Sequence, residues 1–142
     1  MSSVPGACGG GPGGLADYLV VPSSAITEVP DSVPQRMGTL LEPLACVSHS
    51  LDRSGCRASD AVGLFGAGLM TALHVIAARS RGITTIVYAT ARDRNGWPWG
   101  PNTAPDYFVP FRARLTGVPS IKAAVVIRDW QASIDYAVNE VA

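Results

Sequence analysis

The chain has 142 residues, of which 47% are hydrophobic and 15% charged. That length accommodates one domain, too few residues for two full-sized ones, and the composition is that of a chain that buries a core. The formal net charge is zero, so nothing draws the chain to nucleic acid or to an anionic membrane, and neither is expected as a partner.

Residues 1–14 are rich in Gly, Ser and Pro and are expected to be flexible. They carry no basic n-region or apolar h-region, so a signal peptide is not expected. Tyr18, Leu19, Val20 and Val21 read as a strand that ends at Pro22. Residues 26–30 are short and extended, and Pro30, Asp31 and Ser32 mark a turn. From Pro34 the period becomes helical, with Met37, Leu40, Leu41, Leu44, Ser48 and Leu51 spaced by three and four. Pro43 has no N–H to donate and disfavours helical geometry at Glu42. A short first helix is therefore predicted to break at Glu42-Pro43. A second carries Pro43 in its first turn and runs to about Arg53, with Ser54-Gly55 as its stop.

Ala61, Val62, Gly63, Leu64 and Phe65 form a short apolar run, predicted to be a buried strand, that leads directly into Gly66-Ala67-Gly68. A helix is predicted over 69–81, apolar almost all round, with Thr71, His74 and Arg81 as its polar stripe and Gly82 as its stop. It is too short and too interrupted to span a membrane. Residues 84–89 are a second, β-branched strand, so 61–89 read as a βαβ unit with a right-handed crossover. Periodicity is then lost: 93–110 holds Trp97, Trp99, Gly100 and the prolines Pro98, Pro101, Pro105 and Pro110. The two tryptophans read as cover for a core edge rather than as a ligand platform. A strand is predicted over 121–127 and a helix over 129–141, capped by Asp129 and carrying Trp130, Ile134, Ala137, Val138 and Val141 on its apolar face.

A strand running into Gly-x-Gly has a physical use. The first glycine permits a tight turn, the second lets the backbone approach a diphosphate, and the helix that follows offers unpaired N–H groups and the positive end of its dipole. Gly66, Ala67 and Gly68 stand where that mechanism needs them. Two features depart from the full dinucleotide fingerprint. Thr71 occupies the third glycine position, which would hold the helix slightly further from the strand. The end of the second strand reads Tyr88-Ala89-Thr90-Ala91-Arg92, with no acid for the ribose hydroxyls. A missing acid beside an arginine leans toward a 2′-phosphate and so toward NADP. The alternative is a βαβ unit whose glycines serve packing only.

The segments 13–22, Pro30-Asp31, Leu41-Glu42-Pro43-Leu44-Ala45-Cys46 and 62–87 resemble, in order, parts of the zinc-type medium-chain alcohol, polyol and threonine dehydrogenases. These parts are the strand closing the catalytic domain, the turn after it, the segment leading into the cofactor domain, and the first βαβ unit. Ile127-Arg128-Asp129-Trp130 faintly resembles the start of the family's last strand and helix. The resemblance implies an α/β fold: a partial Rossmann-like parallel sheet with flanking helices, preceded by a remnant of the catalytic-domain strand. It implies three segments: 1–14 flexible, 15–53 catalytic-domain remnant and connecting helices, and 54–142 a partial dinucleotide-binding domain with an irregular 93–120 stretch. Three strands are expected after residue 60 where a full cofactor domain has six, through a deletion or a shifted reading frame.

By the same resemblance, NAD or NADP would be held by Gly66, Ala67, Gly68, Leu69, Met70, Thr90 and Arg92. Glu42 matches the glutamate before proline that lies at the zinc site of the polyol-type members. The family's early cysteine and its His-Glu pair have no counterpart here, nor does the four-cysteine lobe. A catalytic zinc needs at least three protein ligands, so zinc is not expected in this chain. The bland reading of Glu42 is a carboxylate at a helix N-terminus. Cys46 and His49 are three apart but read as structural, and His74 has no second ligand at i+4. The cysteines Cys8, Cys46 and Cys56 form no C-x-x-C pair, which points to reduced thiols in a cytoplasmic setting. The expectation is an NAD(P)-dependent alcohol/polyol dehydrogenase relative, truncated and not competent alone. The alternatives are a nucleotide-binding or subunit-interaction module without chemistry, self-associating through sheet edges, or a degenerate fragment.

Overall fold

The computed structural model describes residues 17–90, 100–110, 113 and 117–127. The predicted helix over 129–141, Trp97, Trp99 and Arg92 lie outside them. The chain divides into two compact units, Met1–Gly38 and Thr39–Ala142.

In the first unit the described residues form turns. A 3₁₀ turn spans Ser23–Ala25, and the Val33 N–H donates to the Pro30 carbonyl at 2.9 Å, closing the turn expected at Pro30. The strand predicted at Tyr18–Val21 is not formed. Tyr18 is 92% exposed and Val20 97% exposed, and no ladder joins them to another described segment. Apolar β-branched residues state a preference for extended backbone, but only a partner turns that preference into a strand.

The second unit is built on α1 (Leu41–Ser54) and α2 (Leu69–Ser80), with four strands: β1 (Ala61–Phe65), β2 (Thr84–Ala89), β3 (Tyr107–Pro110) and β4 (Ala123–Val126). The break predicted at Glu42-Pro43 is absent: both residues lie inside α1, which follows a 3₁₀ segment, Gln35–Leu40, in the chain. Pro43 is the third residue of α1, within the first turn, where a helix N–H has no intrahelical acceptor, so the missing donor costs no bond. Gly55 ends α1 at φ 68°, a left-handed conformation that glycine adopts without strain.

The strands form one sheet in the order β3-β2-β1-β4, and every pairing is parallel. Phe65 lies opposite both Tyr88 and Val126, so β1 is central and its carboxyl end is flanked on both sides. A parallel sheet must be covered on both faces, and β1 is accordingly buried at all five residues. On one face Val62, Leu64, Val87 and Ala89 pack with Val47 and Leu51 of α1 and Leu73, Val75 and Ala78 of α2. On the other, Ala61, Phe65, Ile86, Tyr88 and Val109 cluster with Ile121 and Val118. Phe65 and Tyr88 stack there with ring centroids 4.5 Å apart. Gly63 makes room for that stack: a Cβ at 63 would lie 3.2 Å from Ile121 Cδ1 and 3.3 Å from Tyr88 Cε2.

Two expectations are corrected here. The irregular stretch includes a fourth strand, β3, so the sheet has four described strands after residue 60 rather than three. Asp106 sets the start of that strand. Its Oδ2 accepts from the Thr85 N–H at 2.7 Å and from the Thr85 hydroxyl at 2.8 Å, which joins the chain to β2 just before the ladder begins. The second correction concerns the polar stripe of α2. Thr71 and His74 are buried, and the exposed large hydrophobic side chains of that helix are Leu69 and Ile76. Arg81 does reach outward from the end of α2, to Asp52 at 2.7 Å and to the Ser48 hydroxyl at 2.7 Å, and so ties α2 to α1.

Candidate functional site: the turn between β1 and α2

β1 delivers the chain to the carboxyl edge of the sheet between β2 and β4, the position at which open parallel sheets bind ligands. Gly66 turns the chain there with φ 126°, a conformation that side chains disfavour. Its N–H donates to the Tyr88 carbonyl at 3.0 Å, and its own carbonyl accepts from the Thr71 hydroxyl at 3.0 Å. The first residue of the turn is thus held to β2 on one side and to α2 on the other.

Gly68 stands before α2 with φ −86° and ψ −172°, which any residue can adopt. A Cβ added at Gly68 would meet nothing within 4 Å. The protein's own packing therefore does not require glycine at this position, and its missing side chain leaves the backbone open to approach from outside. No side chain caps α2, and its first turn holds no acidic residue. The first-turn N–H groups lack intrahelical acceptors, and with the dipole they make a local site for negative charge. Ala67 and Met70 are half-buried, while Gly68 and Leu69 are exposed. The structure thus brings Gly66, Ala67, Gly68, Leu69 and Met70 together at one edge. Thr90, exposed, follows the end of β2, the strand paired with β1.

Sequence reasoning treated Thr71 as a departure from the fingerprint. It is wholly buried, and its hydroxyl is part of the turn. A hydrogen-bonding side chain at the third glycine position is the signal that could have found it.

Glu42 lies elsewhere, in the first turn of α1, where its Oε1 accepts from the Cys46 thiol at 3.3 Å. That bond and the nearby carboxylate charge push the Cys46 pKa up, so the thiol stays protonated. Among the described residues no group of three His, Cys, Asp or Glu side chains converges. The described residues therefore do not fit a catalytic zinc, which needs at least three protein ligands. His74 is engaged within the helices: Nδ1 donates to the Met70 carbonyl at 2.7 Å, and Nε2 lies 3.2 Å from the Ser50 hydroxyl. No helix among the described residues is long and apolar enough to cross a membrane.

No family model matches the chain. It is 32% identical over 77 residues to the (R,R)-butanediol dehydrogenase of Bacillus subtilis, a match covering 54% of this chain and 22% of that protein. It is 35% identical over 81 residues to the D-altritol 5-dehydrogenase of Agrobacterium fabrum, covering 54% of this chain and 24% of that one. The matches span less than a quarter of the length of these curated relatives. Among solved structures, a protein described as a zinc-binding dehydrogenase from Sinorhizobium meliloti, bound to NADP, superposes with a TM-score of 0.77 at 24% identity. That match covers 92% of this chain and 41% of that one. A second protein so described, from Clostridium scindens, has a TM-score of 0.67 at 18% identity, covering 80% of this chain and 34% of that one. These two likenesses concern the fold.

Proposed function

We propose that this chain, which belongs over the part it spans to the zinc-type medium-chain dehydrogenase family, binds NAD or NADP through the diphosphate at Gly66-Ala67-Gly68. The observation that carries this reading is the glycine at 68. Neither its backbone conformation nor its packing requires glycine, and at the strand-to-helix turn the clearance it leaves gives a diphosphate room to approach the backbone. Leu69 and Met70 would contribute the first-turn N–H groups of α2, and the ribose would fall to Thr90, which follows β2, and by the family resemblance to Arg92, which is outside the described residues. The absence of an acid in 88–92 supports a preference for NADP over NAD.

The dinucleotide would supply a hydride acceptor or donor. The residues of this chain would bind and orient it; among the described residues no group of metal ligands converges, and the bond between Glu42 and Cys46 offers a structural role for that carboxylate. The proposed activity of the chain by itself is therefore nucleotide binding, within an oxidoreductase family, without alcohol oxidation. The free thiols of Cys46 and Cys56 support a reducing, cytoplasmic setting.

The test is a titration of NADH and NADPH fluorescence against the purified chain, repeated with Gly68→Val. Both dinucleotides should bind, NADPH more tightly. The variant should melt within a few degrees of the parent, because its added atoms enter open space, yet lose at least about tenfold in affinity if a close diphosphate contact is removed. Equal binding by the variant, or none by the parent, would reject the reading. Turnover of common alcohols or polyols with NAD(P) and zinc would reject the non-catalytic part.

A further inference from the structure

Gly66 is the least constrained residue of the turn by type and the most constrained by contact. At φ 126° a glycine peptide can rotate so that its carbonyl points either way at little steric cost. Outward, that oxygen would set a lone pair against any phosphate at the helix N-terminus. Here the oxygen lies 3.0 Å from the Thr71 hydroxyl, and Thr71 is 0% exposed, so the carbonyl points into the protein. The Gly66 N–H is likewise occupied, by the Tyr88 carbonyl. The residue is therefore held from both ends, its N–H by β2 and its carbonyl by Thr71. Thr71 is the only polar side chain in the first turn of α2, where Leu69, Met70 and Ala72 have no hydrogen-bonding group to offer.

We propose that Thr71 is a positioning residue for the diphosphate, its hydroxyl holding the Gly66 carbonyl inward so that the turn presents donors rather than an acceptor. The proposal rests on the dinucleotide reading above and gives a role to the one position where the chain departs from the Gly-x-Gly-x-x-Gly pattern. A glycine at 71 would permit closer packing of helix on strand but could not make this bond. The hydroxyl replaces close packing as the device that fixes the turn. Thr71 acts through Gly66 and does not itself touch the nucleotide.

The test separates the hydroxyl from the methyl. Thr71→Ser keeps the first and Thr71→Val the second, while Thr71→Ala keeps neither. Each is titrated with NADPH, and ADP and AMP are measured as competitors. Serine should bind within about twofold of the parent, whereas valine and alanine should bind NADPH and ADP about five- to tenfold more weakly, the scale of one lost hydrogen bond. AMP, lacking the second phosphate, should lose less than ADP. Serine and alanine are close in size, so their comparison stands even if valine perturbs the core. Affinity that follows the methyl, with valine intact and serine weak, would overturn the proposal and make Thr71 a packing residue. So would equal affinity across all three. If the parent binds no dinucleotide, the reading beneath the proposal fails instead, and Thr71 has nothing to position.

Discussion

His74 has both ring nitrogens engaged within the seam between α1 and α2. A carbonyl can only accept, so the proton sits on Nδ1 toward Met70, and Nε2 of the neutral ring accepts from the Ser50 hydroxyl. Burial lowers the pKa of His74, and the bond to Met70 raises it by less. The direction fixes the pH dependence. Below the ordinary value of 6.5 the unfolded chain takes up a proton that the folded chain resists. The unfolded state then binds more protons, so stability is level above that pH and falls as the pH drops below it toward the folded pKa. The urea midpoint should accordingly fall as the pH drops below the ordinary value of 6.5, and His74→Gln should flatten that part of the profile. Parallel profiles for parent and variant would rule this out. Asp60 acts in a separate window. The Arg57 N–H and then the Lys122 ammonium hold its carboxyl below the ordinary 3.8, so its contribution is present above that value and is lost only in stronger acid.

At the scale of elements, β3 shows what an isolated segment cannot say. Tyr107, Phe108 and Val109 are too short a run to declare a strand between Pro105 and Pro110. What makes them one is the parallel register of Phe108 with Val87 and the two bonds from Thr85 to the Asp106 carboxylate. Asp106→Ala leaves the buried Thr85 hydroxyl and N–H without that acceptor, which should cost about 1–3 kcal/mol. Amide exchange should also speed up over Tyr107–Pro110 before it does over β1. A stability within 0.5 kcal/mol of the parent, roughly the reach of an ordinary surface change, would show the clamp to be idle. The same reasoning explains what was legible. β1, α2 and β2 are readable because local pattern and burial agree: five apolar residues, a glycine turn, a helix stopped near Gly82, then a β-branched run. The turn was readable for the same reason, since strand, glycines and helix are contiguous. Tyr18–Val21 carried an equally apolar pattern but has no ladder, and Thr71 carried a polar label although its partner lies five residues back in the turn. In each miss a contact outside the local pattern decided the outcome.

For the molecule as a whole, the question is what the two ends of the sheet do. Among the described residues β3 and β4 are the outer strands, and each leaves one side of its backbone without a described neighbour. They are not equivalent. β3 ends in Pro110 and follows Pro105, and proline blunts an edge because it has no N–H to offer an incoming strand. β4 is Ala-Ala-Val-Val, without proline or charge, and its side chains are already partly buried on both faces of the sheet. Among the described residues its outer backbone edge has no strand beside it, the condition for strand addition. A subunit-interaction role would therefore run through β4 rather than β3. The expected result is self-association that rises with concentration in sedimentation or size-exclusion measurements. A lysine at Ala124 should weaken it, because charge on an edge opposes pairing, and the same change at Tyr107 should not. Monomer at all concentrations, or equal loss from both substitutions, would sink this reading while leaving the nucleotide turn untouched, since that turn lies at the carboxyl end of β1 and depends on neither edge.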